Sequence, residues 1–188
     1  MNKKEINEIE EKIKCKIKKK LGSGTYGDVY QAINQKKKSF ALKIESSNHE
    51  RLNSEMKIYK QFNNISGIPD IYWYGKIHNK NLLALEYLGP TLEKLYDYCD
   101  KKFSLKTVLM IGCQLIDRIK DIHSKNIIHR DLKPDNFLIG FGENKSLIYI
   151  IDFGLSKYYL NNSRHIKYSK EKSLTGSLRY ASIRNHKG

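Results

Sequence analysis

His129-Arg130-Asp131-Leu132-Lys133-Pro134-Asp135-Asn136 places a carboxylate, an ammonium and a carboxamide on one short polar run. After it the apolar segment Leu147–Ile151 runs into Asp152-Phe153-Gly154, so a second carboxylate arrives at the end of a strand. Acidic pairs alone say little in a charged chain; here order, spacing and the intervening strand must all be right together. These groups suit movement of a phosphoryl group from a metal-bound nucleotide to a hydroxyl. Asp131 would accept or orient the hydroxyl proton, and Lys133 would neutralise the γ-phosphate as it transfers. Asn136 and Asp152 offer the hard oxygen ligands that Mg²⁺ prefers. His129 is expected to pack under the loop and Arg130 to anchor the segment after Gly154.

Nucleotide phosphates need a second set of groups. Gly22-Ser23-Gly24-Thr25-Tyr26-Gly27-Asp28-Val29 fits G-x-G-x-x-G-x-V. Asp28–Ile33 then alternates like a strand, so the glycines make a β-turn rather than open a helix, and backbone N–H groups in such a turn approach phosphate oxygens closely. Alone, the pattern is often just a hairpin. The strand after next carries Lys43 among Phe40, Ala41 and Leu42, where an ammonium is costly to bury without a partner. Glu55 is the best-placed partner, with Glu50 the weaker alternative; the pair would hold Lys43 against the α- and β-phosphates.

The elements that must position these groups follow from periodicity. Residues 1–14 form a charged leader with Ile6, Ile9 and Ile13 at helical spacing, either a short amphipathic helix or a frayed end. Strands are predicted over Lys16–Gly22, Asp28–Ile33, Ser39–Glu45, Ile71–Gly75 and Leu82–Tyr87. Leu52, Met56, Tyr59 and Phe62 mark one helix between the third and fourth. Gly89-Pro90 then breaks the chain, dividing residues 15–88 from 89–188. Thr91–Cys99 reads as a helix, and Ser104 as the N-cap of a longer one carrying Val108, Ile111, Leu115, Ile119 and Ile122. Gly112 inside it is expected to mark close packing, since glycine costs a helix about 1 kcal/mol relative to alanine. Short strands follow at Phe137–Ile139 and Leu147–Ile151.

The 188 residues are 39% hydrophobic, enough for one ordinary domain or two small lobes. No apolar run has the length of a membrane span. The N-terminus lacks the apolar core of a secretory signal, and Cys15, Cys99 and Cys113 form neither a C-x-x-C motif nor an even framework. An intracellular protein, cytoplasmic or nuclear, is expected. The net charge of +15 admits nucleic acid, an anionic membrane, an acidic protein substrate or simply a lysine-rich surface. No groove-reading helix or aromatic-interleaved motif supports specific nucleic-acid binding.

Together these residues resemble the eukaryotic protein kinase superfamily from Gly22 to Gly154. Leu132-Lys133-Pro134-Asp135-Asn136 resembles its serine/threonine branch. Gly67-Ile68-Pro69, Leu88-Gly89-Pro90-Thr91-Leu92-Glu93, Lys102-Phe103-Ser104, Pro134–Gly140 and Tyr180-Ala181-Ser182-Ile183 are similar to the casein kinase 1 family. The resemblance implies an α+β, bilobal fold: a five-stranded N-lobe with one helix, then a helical C-lobe. It implies ATP with Mg²⁺, and protein substrates. Leu85 would be the gatekeeper and Glu86-Tyr87-Leu88 the hinge that bonds adenine, with Leu21, Val29, Ala41 and Leu138 sandwiching the base. Arg179 corresponds to part of an anion site that favours acidic or already phosphorylated substrates, and Lys167, Lys170 and Lys172 would add to the attraction. Ser177 stands where the usual residue is Thr, and Arg184 where the family has Asn. The family also continues past the position of Gly188, so the C-lobe reads as truncated, with part of the long helix expected to lack apolar cover. A non-catalytic nucleotide-binding scaffold is the competing reading.

Overall fold

A computed structural model describes residues 3–24, 27–46, 50–161, 164–167 and 173–186. The chain divides into two compact units, Met1–Lys60 with Pro69–Leu88, and Gln61–Ile68 with Gly89–Gly188. The first is built on an antiparallel sheet of β1 (Cys15–Gly24), β2 (Gly27–Asn34), β3 (Ser39–Ser46), β4 (Ile71–Ile77) and β5 (Lys80–Glu86), in the order β1-β2-β3-β5-β4. Strand alternation sorts the two faces. Phe40, Leu42 and Ile44 of β3 enter a core with Ala32, Ile77, Leu82 and Ala84. Ala41, Lys43 and Glu45 therefore take the opposite face.

The unit carries two helices rather than the single one expected. α2 (Arg51–Tyr59) is the predicted helix and packs on β5 and β4. α1 (Lys3–Lys12) is the segment read as a leader. Its Ile9, 1% exposed, completes the sheet's apolar core. Glu10 accepts the Ile17 amide at 2.7 Å, and Glu8 and Glu5 pair with His78 and Lys80 at the β4–β5 turn. Burial of one isoleucine together with these three contacts explains why a segment so rich in charge docks on the sheet.

The second unit contains α3 (Leu92–Tyr98), capped by the Thr91 hydroxyl on the Lys94 amide, and α4 (Leu105–Ser124), capped by Ser104 on Thr107. Its strands are short: β6 (Ile127–Ile128) pairs with β9 (Lys157–Tyr158), β7 (Phe137–Ile139) with β8 (Ile148–Ile150), and β10 (Leu160–Asn161) with β11 (Arg164–His165). A final short helix, α5, spans Ile183–His186. α4 packs on β6 and β8, yet along its length only Arg118 and Ile122 are buried. Leu105, Leu109, Met110 and Ile116 are each more than half exposed. Gly112 does not mark close packing, because a Cβ there would meet nothing within 4 Å. A tight glycine is instead Gly67, whose φ of +80° and contact with the Arg118 side chain leave no room for a Cβ; that guanidinium donates to the Ser66 carbonyl. Among the described residues no helix is long and apolar enough to cross a membrane.

Candidate active site

In the first unit, the Lys43 ammonium meets the Glu55 carboxylate at 2.6 Å, with Glu55 2% exposed. A carboxylate buried that deeply is held ionised only by a matched cation. Glu50, the weaker alternative, is exposed at the start of α2 and its side chain makes no cap bond. Glu45 makes that bond instead: its Oε2 accepts the Leu52 amide at 2.8 Å.

Lys43 pairs across the sheet with Val29 and Ala41 with Leu85, so these four side chains share the face that α2 covers in part. Val29 and Ala41 are half-buried, while Leu85 and Leu88 are buried. Glu86 donates its amide to Asp70 O at 2.9 Å, which ties the end of β5 to the chain entering β4.

The glycine motif lies where β1 ends and β2 begins. Gly22 pairs with Val29, Ser23 with Asp28 and Gly24 with Gly27, next to the half-buried Leu21. Thr25 and Tyr26 lie outside the described residues. Gly27 must be glycine, since a Cβ would stand 2.2 Å from the Ile44 carbonyl oxygen. Asp28 staples the two strands. Its carboxylate takes Lys20 at 2.7 Å, the Ser23 hydroxyl at 2.7 Å and the Tyr30 hydroxyl at 3.0 Å, and the Lys20 and Ser23 bonds bring it down to about 2.

In the second unit the polar loop lies between β6 and β7. His129 is its internal support. The Asp131 amide donates to His129 Nδ1 at 3.3 Å, so the ring proton belongs on Nε2, which donates to Ile151 O at 2.9 Å. The ring stands edge-on to Phe153 at 5.1 Å, and Phe153 in turn packs on Phe62. Burial lowers the imidazole pKa, against the opposing bond to Ile151 and the nearby Asp152. Arg130 has φ +71° and donates from Nε to Leu155 O at 2.5 Å, the anchoring role expected of it.

Asp131, Lys133 and Ser177 form a closed triangle. Lys133 Nζ lies 2.9 Å from Asp131 Oδ2 and donates to Ser177 Oγ at 3.0 Å, while the Ser177 amide donates to Asp131 Oδ1 at 2.8 Å. Burial pushes the Asp131 carboxyl up, but its bonds to Lys133 and Ser177 outweigh that and hold it below the ordinary aspartate value. Gly176 makes the approach possible: its φ is +90°, and a Cβ would sit 2.3 Å from Arg130 O.

The Asn136 amide nitrogen donates to Asp131 O at 2.8 Å and to Asp131 Oδ2 at 3.2 Å, which leaves its oxygen as the atom suited to a cation. The Asn136 carbonyl accepts the Ile151 amide at 3.0 Å, so Asn136 is bonded to the residue immediately before Asp152. Asp152 has a left-handed backbone, φ +67°, which turns the chain sharply out of β8. Two oxygen-bearing side chains thus leave neighbouring strand ends, a donor set that fits a hard divalent cation.

Leu138 stands half-buried on β7. Arg179 is exposed, its guanidinium 5.9 Å from the Tyr180 ring centroid, and Lys167 is exposed as well. Lys170 and Lys172 lie outside the described residues. Among the described residues no contact explains Arg184, but its neighbour Asn185 donates to Thr175 O at 2.7 Å and accepts the Thr175 amide at 3.4 Å. That bracket holds the chain two residues before Ser177. Sequence reasoning missed Asn185 and Glu45, whose bonds go to backbone groups rather than to other side chains.

A protein-family model described as Protein kinase domain matches residues 15–183. The match runs from the start of β1 to the first residue of α5 and contains Lys43, Glu55, Asp131, Lys133, Asn136, Asp152 and Ser177.

Proposed function

Because this chain belongs to the protein kinase family, whose members use ATP and a divalent metal to phosphorylate protein substrates, we propose that it acts on Ser and Thr hydroxyls, with Mg²⁺, in the manner of casein kinase 1. The observation that carries this reading is the Asp131–Lys133–Ser177 triangle with Asn136 bonded to its carboxylate. An aspartate held ionised by a lysine and a backbone amide presents an acceptor to an incoming hydroxyl. Because its basicity is lowered, its main work is orienting that hydroxyl, with the proton leaving late. Lys133, already between Asp131 and Ser177, offsets charge developing on the transferred group. Asn136 and Asp152 would hold the metal, which neutralises phosphate charge when bound. In the first unit Lys43, fixed by Glu55, would bind the α- and β-phosphates. Glycines 22, 24 and 27, with Ser23, Thr25 and Tyr26, would cover the phosphates, and Leu21, Val29, Ala41, Leu85, Glu86, Leu88 and Leu138 would bind the adenosine part. The exposed cations Arg179 and Lys167 support a preference for acidic or phosphorylated substrates.

Labelled phosphate should pass from ATP to casein in the presence of Mg²⁺, and Asp131→Asn should abolish it. No transfer with any divalent metal overturns the reading. The exposed apolar residues of α4 favour a second one, a scaffold that binds nucleotide without turning it over. Mg²⁺-ATP raising the melting temperature with no phosphate transfer would support that alternative.

A further inference from the structure

β3 meets α2 through two side chains on one face. Lys43 reaches Glu55. Two residues on, Glu45 is 4% exposed and accepts the amide of Leu52, the second residue of α2. The first amides of a helix have no partner inside it. Their usual acceptor is the side chain just before the helix, and here that residue, Glu50, makes no such bond. A carboxylate from a neighbouring strand does the capping instead.

The two contacts are spaced to act as a pair. Along β3 the anchors lie two residues apart, about 7 Å. On α2 they meet Leu52 and Glu55, three residues apart and about 4.5 Å along the axis. A helix held at one point can still pivot and rotate; held at two, its axial position and rotation are both fixed. Opposite Glu45 in the sheet stands Gly27, packed against the Ile44 carbonyl, so the strand that carries the latch is itself pinned there.

We propose that Glu45 is a positioning residue for the Lys43–Glu55 pair: by capping α2 at Leu52 it holds the helix in the rotation that brings Glu55 to Lys43. This rests on the kinase reading above for its activity readout, but not for its structural one. A merely structural glutamate would alter stability without acting through Glu55.

Glu45→Met keeps length and volume and removes the acceptor, whereas Glu45→Gln keeps a carbonyl oxygen for the Leu52 amide; Glu45→Leu is a second acceptor-free variant should Glu45→Met fold poorly. In the 188-residue chain, well below the melting temperature, Glu45→Met should lower kcat about tenfold with KM for ATP changed far less. Glu45→Gln should restore most of the rate. In a Glu55→Gln background Glu45→Met should add less than about twofold, because the two act through one contact. Independently of turnover, acylation of Lys43 by an amine-reactive reagent, read by peptide mass spectrometry, should speed up in Glu45→Met and not in Glu45→Gln. Equal losses of kcat in both backgrounds, or unchanged Lys43 labelling, overturns the proposal. A wild-type chain that transfers no phosphate overturns the kinase reading instead, and Lys43 labelling then decides the role of Glu45 alone.

Discussion

The Asp131 carboxylate is gripped from two sides, and the grips can be removed separately. Ser177 contributes a backbone amide to Asp131 and a hydroxyl to Lys133. Ser177→Ala deletes only the hydroxyl, loosening Lys133 while the amide stays on Asp131. A hydrogen bond to a charged group contributes about 1.5–3 kcal/mol, so steady-state kinetics should show kcat reduced about tenfold or more. Ser177→Thr keeps the hydroxyl and should stay within about threefold of the parent, since a β-branched residue fits the extended backbone of Ser177 (φ −79°, ψ 118°). Equal loss in both variants would mean that the Lys133 contact contributes nothing. Asp131, Lys133, Asn136 and Asp152 could be singled out in the sequence because the role proposed for each belongs to a side chain whose type and spacing are visible. Glu45 and Asn185 could not, because each acts on a backbone group of a distant residue, and a backbone amide leaves no mark in residue type.

Among the elements, strands announce themselves by alternation and α2 by its three- and four-residue steps, so the sheet and its helix could be read within a residue or two at most ends. α1 could not be settled that way. Three isoleucines at helical spacing specify a face, but whether that face docks depends on a core surface assembled from β2, β3, β4 and β5. Ile9 tests the docking. Its side chain is 1% exposed, and truncating a buried isoleucine to alanine costs about 2–5 kcal/mol. Ile9→Ala should lower the unfolding free energy by that amount, read as a lower denaturant midpoint with the slope unchanged, whereas Ile6→Ala, at a partly exposed position, should cost much less. Similar small losses in both would mean that α1 contributes little to the unit. α4 shows the converse limit of periodicity. Its pattern predicted an apolar stripe of Val108, Ile111, Leu115, Ile119 and Ile122, but of these Ile122 alone is buried, Val108 is exposed and the other three are partly exposed.

For the whole molecule, two groups of the second unit, His129 and Asp131, contribute to acid sensitivity. Burial lowers the His129 pKa in the folded state below its ordinary 6.5. Between those two values the unfolded chain binds a proton that the folded chain does not, so stability rises with pH across that window. The contribution of His129 is therefore complete above about pH 6.5 and is lost as pH falls through the lower, folded value. Asp131 also has a lowered folded value, from an ordinary 3.8, so its contribution is present above that ordinary value and is lost as pH falls through the lower, folded one. The other described histidines, 78, 123, 165 and 186, are at least partly exposed. Melting temperatures measured from pH 7.5 down to pH 4.5 should then fall, His129 adding at most one proton to the slope of the unfolding free energy with pH. His129→Gln, which keeps an amide donor for Ile151 O and cannot charge, should melt lower than the parent at pH 7.5 yet lose less on acidification. Parallel curves for the two proteins would show that protonation of His129 does not limit the fold, and would move the acid sensitivity to the carboxylates.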